Sequence, residues 1–102
     1  MTRLLVCDFE SSDLCGFTNG DYAWTRDAYG TPSSNTGPSG DHTTGSGAYL
    51  FTEASSGRSN NLHQLESPRF SLQQDATLSF FYHMYDSTGS NMGTLSIDAY
   101  NN

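Results

Sequence analysis

Valine and isoleucine each occur once in this chain, at Val6 and Ile97. A buried all-parallel sheet needs strands that read as near-continuous Val/Ile/Leu runs, so that class is excluded. Of the 102 residues, 34% are hydrophobic and 13% aromatic. The core is therefore predicted to be built from a few large rings more than from aliphatic side chains. No apolar run approaches the roughly 18 residues of a membrane span, so direct membrane insertion is not expected. The length predicts a single domain, 1–102, near the lower limit of what one apolar core stabilises alone.

The patterning is that of strands. Residues 77–85 read TLSFFYHMY, with Leu78, Phe80, Tyr82 and Met84 on one face and Phe81, His83 and Tyr85 on the other. Residues 93–100 read GTLSIDAY, with Leu95, Ile97 and Ala99 predicted inward. Further strands are expected at 4–10, 22–26 and 47–53, and weaker ones at 62–66 and 69–72, which Pro68 separates. The predicted core is Phe9, Trp24, Tyr49, Phe51, Leu78, Phe80, Tyr82, Leu95 and Ile97. Apolar residues never recur at i, i+3, i+4, i+7, so no helix of three turns is expected. Short strands joined by Gly/Pro/Asn/Ser turns point to an antiparallel β-sandwich. The longest connection, 30–47, reads GTPSSNTGPSGDHTTGSG. Its prolines and its Asp41-His42 pair mark it as an ordered loop rather than a linker.

Charge narrows the partners. Eleven acidic residues face four basic ones, all arginine, for a net charge of −7. Nucleic acids and anionic membrane surfaces require a cationic footprint that is absent. Cys7 and Cys15 form a C-x7-C pair. It reads either as one local disulfide or as two reduced thiols, and the scarcity of aliphatics favours the staple. A disulfide would imply an oxidising compartment. The opening residues are too short for the apolar region of a signal peptide, so the chain reads as a mature or trimmed segment. No N-x-S/T sequon occurs, so N-glycosylation is not expected. There is no G-x-S-x-G elbow and no HExxH, and two carboxylates among eleven acids signify abundance only. No enzyme is expected.

Several stretches together resemble a known family. CDFE (Cys7 to Glu10), LCGF (Leu14 to Phe17) and WTR (Trp24 to Arg26) open the pattern. TPSSNTGPSGDHT (Thr31 to Thr43), GAYL with EAS, LESP, LSFFYHMY and GTL continue it in order. The chain, from Cys7 to about Tyr100, resembles a MAM domain. The resemblance implies a jelly-roll-like form of the β-sandwich. It also implies an extracellular or cell-surface, non-catalytic module for adhesion or protein association. Full-length members are about half again as long, so a shortened sandwich is expected. Thr77 stands at the position of the family's third cysteine, and Asp86 where the family often has Gly. Missing strands would leave unpaired edges and uncovered apolar faces, which predicts self-association of protein chains.

The resemblance also suggests calcium, held by Glu10 and Asp41, with Asp8 as a helper one pleat away on the face of Glu10. Calcium takes six to eight oxygens. The plainer reading is that these carboxylates cap backbone amides. His83 is expected in a packed core-edge role, and His42 is expected to fix the long loop by a hydrogen bond. Arg26 is expected to form a structural ion pair near Asp27. The reading from a different class is a carbohydrate-binding module, a glycan stacking on Tyr22, Trp24, Tyr29, Tyr85 or Tyr100. Against it, Trp24 sits where the family places a buried ring.

Overall fold

The computed structural model describes residues 3–31, 37–52, 61–85 and 93–99. Among the described residues, a 3₁₀ turn, Leu14–Gly16, precedes β1 (Thr18–Asn19), β2 (Thr25–Asp27), β3 (Tyr49–Phe51) and β4 (Leu65–Glu66). β1 pairs antiparallel with β4, with Thr18 opposite Glu66 and Asn19 opposite Leu65. β2 pairs antiparallel with β3, with Thr25 opposite Phe51, Arg26 opposite Leu50 and Asp27 opposite Tyr49. The fold is thus all-β and antiparallel, in keeping with the shortened β-sandwich predicted.

Polar side chains join the two ladders. The Trp24 amide donates to Asn19 Oδ1 (2.8 Å), tying the start of β2 to β1, while the Gly20 amide extends the β1–β4 ladder to the Gln64 carbonyl (3.0 Å). Among the described residues, an isolated parallel bridge also pairs Tyr22 with His63. The Trp24 indole N–H donates to the His63 carbonyl (3.1 Å), and His63 Nδ1 lies 3.2 Å from the Ala23 carbonyl. This half-buried indole satisfies its polar atom internally, as a packed Trp must.

Cys7 and Cys15 are bonded, with Cα atoms 5.8 Å apart. On this point the staple reading holds. The loop they close is tightly wound. Phe9, Leu14 and Cys15 all adopt φ between 57 and 60°, a left-handed conformation that side chains other than Gly rarely take. Phe9 packs edge-on against Phe17, with ring centroids 5.9 Å apart.

Several predicted strands and core positions differ. Among the described residues, 4–10, 77–85 and 93–99 enter no ladder, and neither do 69–72. Left-handed Phe9 breaks the period-two run of the first segment. Ala48 is the one buried hydrophobic residue among those described. Phe9, Trp24, Tyr49 and Phe51 are half-buried as expected of a partial core. Leu78, Phe80, Tyr82, Leu95 and Ile97 are exposed instead of buried. Alternation states which face of a segment seeks burial, but burial needs a facing sheet. Glu53, Arg58, Asp86, Tyr100 and the Asn101-Asn102 pair lie outside the described residues.

Candidate functional site

Two carboxylates from distant parts of the chain converge on Gly47. Asp41 Oδ1 accepts from the Thr44 hydroxyl (2.7 Å), the Thr44 amide (3.2 Å) and the Gly47 amide (3.0 Å). The Gly45 amide closes the turn onto the Asp41 carbonyl (3.2 Å). Glu10 Oε1 accepts from the Ala48 amide (2.9 Å). A side chain at Gly47 would press into Glu10 Oε1 and stand 2.8 Å from Asp41 Oδ2. Glycine is therefore what lets both carboxylates approach one backbone. The Thr44 hydroxyl, with the amides of Gly47, Thr44 and Gly45, holds the Asp41 carboxyl below its ordinary value, against a smaller opposing effect of burial.

Glu10 and Asp41 are thus brought together at Gly47 and Ala48, and each caps a backbone amide there. Asp8 does not join them. Asp8 Oδ1 accepts from the Glu10 amide (3.0 Å) in a local turn. The left-handed Phe9 between them removes the pleat that would have put both on one face. Among the described residues, no three of His, Cys, Asp or Glu form a metal-holding group. Glu10 and Asp41 offer hard anionic oxygens of the kind calcium takes, fewer than the six to eight ligands a full shell needs.

Arg26 anchors this region differently from expectation. Its guanidinium donates to the carbonyls of Phe9 (2.6 Å) and Glu10 (2.5 Å), not to a carboxylate. Alternation along β2 sends Arg26 and Asp27 to opposite faces, so Asp27 is spent on the amides of Ala28 (2.7 Å) and Tyr29 (3.4 Å). Tyr49, opposite Asp27, donates to the carbonyl of Tyr29. Burial, and secondarily the charge of Asp27, raise its phenol above the ordinary value.

The histidines also depart from expectation. His42 stacks face to face on Phe81, with ring centroids 3.6 Å apart and planes 12° from parallel. His83 is exposed instead of packed. An open cleft of about 590 Å³ runs between the N-terminal segment and residues 79–81, with Val6, Phe9, Ala48, Tyr49, Phe80 and Phe81 among its walls. A smaller one, about 140 Å³, lies beside it between Leu5, Phe17 and Leu78. Sequence reasoning missed Thr44, Gly47 and the ring stack. The Asp41-x-x-Thr44 spacing was a legible signal for the first, since Asp side chains cap nearby amides. The stack had none, because its rings are far apart in the chain.

Residues 7–102 match the MAM domain family, meprin/A5/mu. The chain is 41% identical over 98 residues to Neuropilin-1a of Danio rerio, covering 90% of this chain and 10% of that protein. It is 41% identical over 95 residues to MAM domain-containing protein 2 of Mus musculus, covering 89% and 13%. MAM domain-containing glycosylphosphatidylinositol anchor protein 2 of Mus musculus is 33% identical over 109 residues, covering 89% and 11%. The chain spans about a tenth of the length of these curated relatives. No solved structure shows a significant match to it. By this match across nearly its whole length, the chain belongs to the MAM domain family.

Proposed function

We propose that this chain is an extracellular, non-catalytic interaction module that acts by associating with copies of itself. The observation that carries this reading is the uncovered apolar surface. Residues 77–85 and 93–99 keep Leu78, Phe81, Tyr82 and Ile97 more than half exposed. Single exposed apolar residues are ordinary, whereas contiguous ones mark interaction surfaces. Membership of an adhesion-type family and the Cys7–Cys15 disulfide support an extracellular setting. Among the described residues, no helix is long and apolar enough to cross a membrane. Mass by light scattering across a concentration series tests the reading. A dimer or larger assembly is expected, and a monomer at every concentration would overturn it.

Calcium is proposed as a structural ligand at Glu10 and Asp41. The convergence of their carboxylates at Gly47 favours it. Calcium is expected to raise the melting temperature of this chain and to have no such effect on Asp41→Asn. An identical melt with calcium and with chelator would retire the idea. The glycan reading is weaker. Trp24 is half-buried and donates its indole N–H internally, so it is poorly suited to serve as a platform.

A further inference from the structure

Asn19-Gly20 is the one Asn-Gly pair in the sequence, and it stands where the β1–β4 ladder ends. An asparagine before glycine cyclises more readily than one before any other residue. No Cβ shields the glycine nitrogen, and the backbone there turns freely. The Gly20 nitrogen, its proton taken by a base, attacks Cγ of the Asn19 side chain. A C–N bond forms, the Cγ–Nδ2 bond breaks, and the amine takes up a proton and leaves as ammonia. Water then opens the succinimide ring at either carbonyl, giving aspartate or isoaspartate. In this fold, both reacting groups are held by hydrogen bonds, with opposite effects. Asn19 Oδ1 accepts from the Trp24 amide at 2.8 Å, a donor placed to meet the charge that grows on that oxygen during attack. The Gly20 N–H donates to the Gln64 carbonyl at 3.0 Å, which keeps the nucleophile occupied.

We propose that Asn19-Gly20 is a self-modification site, at which the chain converts its own asparagine to aspartate and isoaspartate, gated by the hydrogen bond from Gly20 to Gln64. Thr18, Asn19, Gly20 and Gln64 are all exposed, so water and base reach the site. β1 and β4 are two residues long each. So short and exposed a ladder opens locally at little cost, and each opening frees the Gly20 nitrogen without unfolding the rest. Either product adds a negative charge two residues from Asp21. Isoaspartate also adds a methylene to the main chain, so the backbone no longer matches the pairing of position 19 with Leu65. The modification thus loosens the ladder that gates it. The inference is independent of calcium and of self-association.

The test incubates the 102-residue chain near neutral pH and follows every asparagine by peptide mapping with mass spectrometry. An isoaspartate-specific methyltransferase distinguishes the two products. Asn19 is expected to be the first asparagine to convert, to give both products, and to convert faster as pH rises. Guanidinium chloride is expected to speed conversion about tenfold, the factor set by losing one or two ladder bonds of ordinary strength. Gly20→Ala is expected to slow conversion severalfold in buffer and in guanidinium chloride alike. A Cβ at Gly20 meets Gln64 Cβ at 3.1 Å, so the comparison in denaturant carries the result whether or not the variant keeps its ladder. Conversion of another asparagine ahead of Asn19 would overturn the site, as would a parent chain that converts only in denaturant. Equal rates with and without denaturant would overturn the gate. A Gly20→Ala chain as fast as the parent in guanidinium chloride would overturn the chemistry. The isoaspartate form, separated by anion exchange, is expected to melt below the parent, and an equal melt would overturn the register argument.

Discussion

Replacing Glu10 by alanine tests the reading of the Gly47 region as a capped junction that holds the N-terminal segment to β3. Glu10 Oε1 is the acceptor for the Ala48 amide at 2.9 Å, and Ala48 is only 4% exposed. Its N–H therefore has little access to water when the carboxylate is removed. Leaving a buried donor without a partner costs about 1–3 kcal/mol, and the value for a part-buried bond falls near the middle, about 2 kcal/mol. For a domain this size, each kcal/mol lowers the melting temperature by about 4–8 °C. Glu10→Ala is thus expected to melt about 8–16 °C below the parent. Glu10→Gln retains an acceptor oxygen and loses only the charge, so its loss is expected to be less than half as large. The assay is thermal unfolding followed by Trp24 fluorescence, in chelator so that no metal contributes. If Glu10→Ala melts with the parent, the bond to Ala48 contributes nothing and the capping argument is wrong. If Glu10→Gln is as damaging as Glu10→Ala, charge rather than the hydrogen bond is decisive.

Reducing the disulfide, or replacing both Cys7 and Cys15 by serine, is expected to cost about 2.5 kcal/mol by loop-closure entropy; an unchanged denaturant midpoint would refute this. Acid is expected to loosen the 41–47 loop. The Asp41 carboxyl is held below its ordinary value of 3.8, so its contribution is present above that value and is lost as pH falls through the lowered one. Hydrogen exchange at the Thr44 and Gly47 amides, accelerating only in that acid range, is the expected reading. At the other end, the Tyr49 phenol is raised above 10.0. Its contribution is therefore present below 10 and is lost as pH rises through the raised value; phenolate absorbance should show one tyrosine ionising late. Trp24→Phe removes the bond to the His63 carbonyl and is expected to cost about 1 kcal/mol, measured by chemical denaturation.

Local chemistry was legible before any fold. The disulfide and the all-β class follow from short-range rules, whereas the naming of Glu10 and Asp41 together came from the family resemblance. Such rules include what a cysteine pair can do, what alternation requires and what carboxylates cap. Where those rules erred, a single backbone torsion was enough. Phe9 at φ 60° interrupts the pleat expected through residues 4–10, and Asp8 caps the Glu10 amide instead of capping at Gly47. Alternation assumes a continuous pleat and cannot register that interruption. Gly47 shows the reverse case. Its role depends on two side chains, from positions 10 and 41, arriving at one backbone atom.

By itself, the sequence determined which faces want to be covered. The pattern of Leu78, Phe80, Tyr82 and Met84 requires an apolar partner, whatever supplies it. Only the tertiary structure decided that the segment stands uncovered. Hydrophobic patterning is a property of one strand, whereas burial is a property of two surfaces in contact. The same distinction holds for His42 and Phe81. Each residue was legible in the sequence, but their stacking depended on how the long loop folds back across residues 79–81.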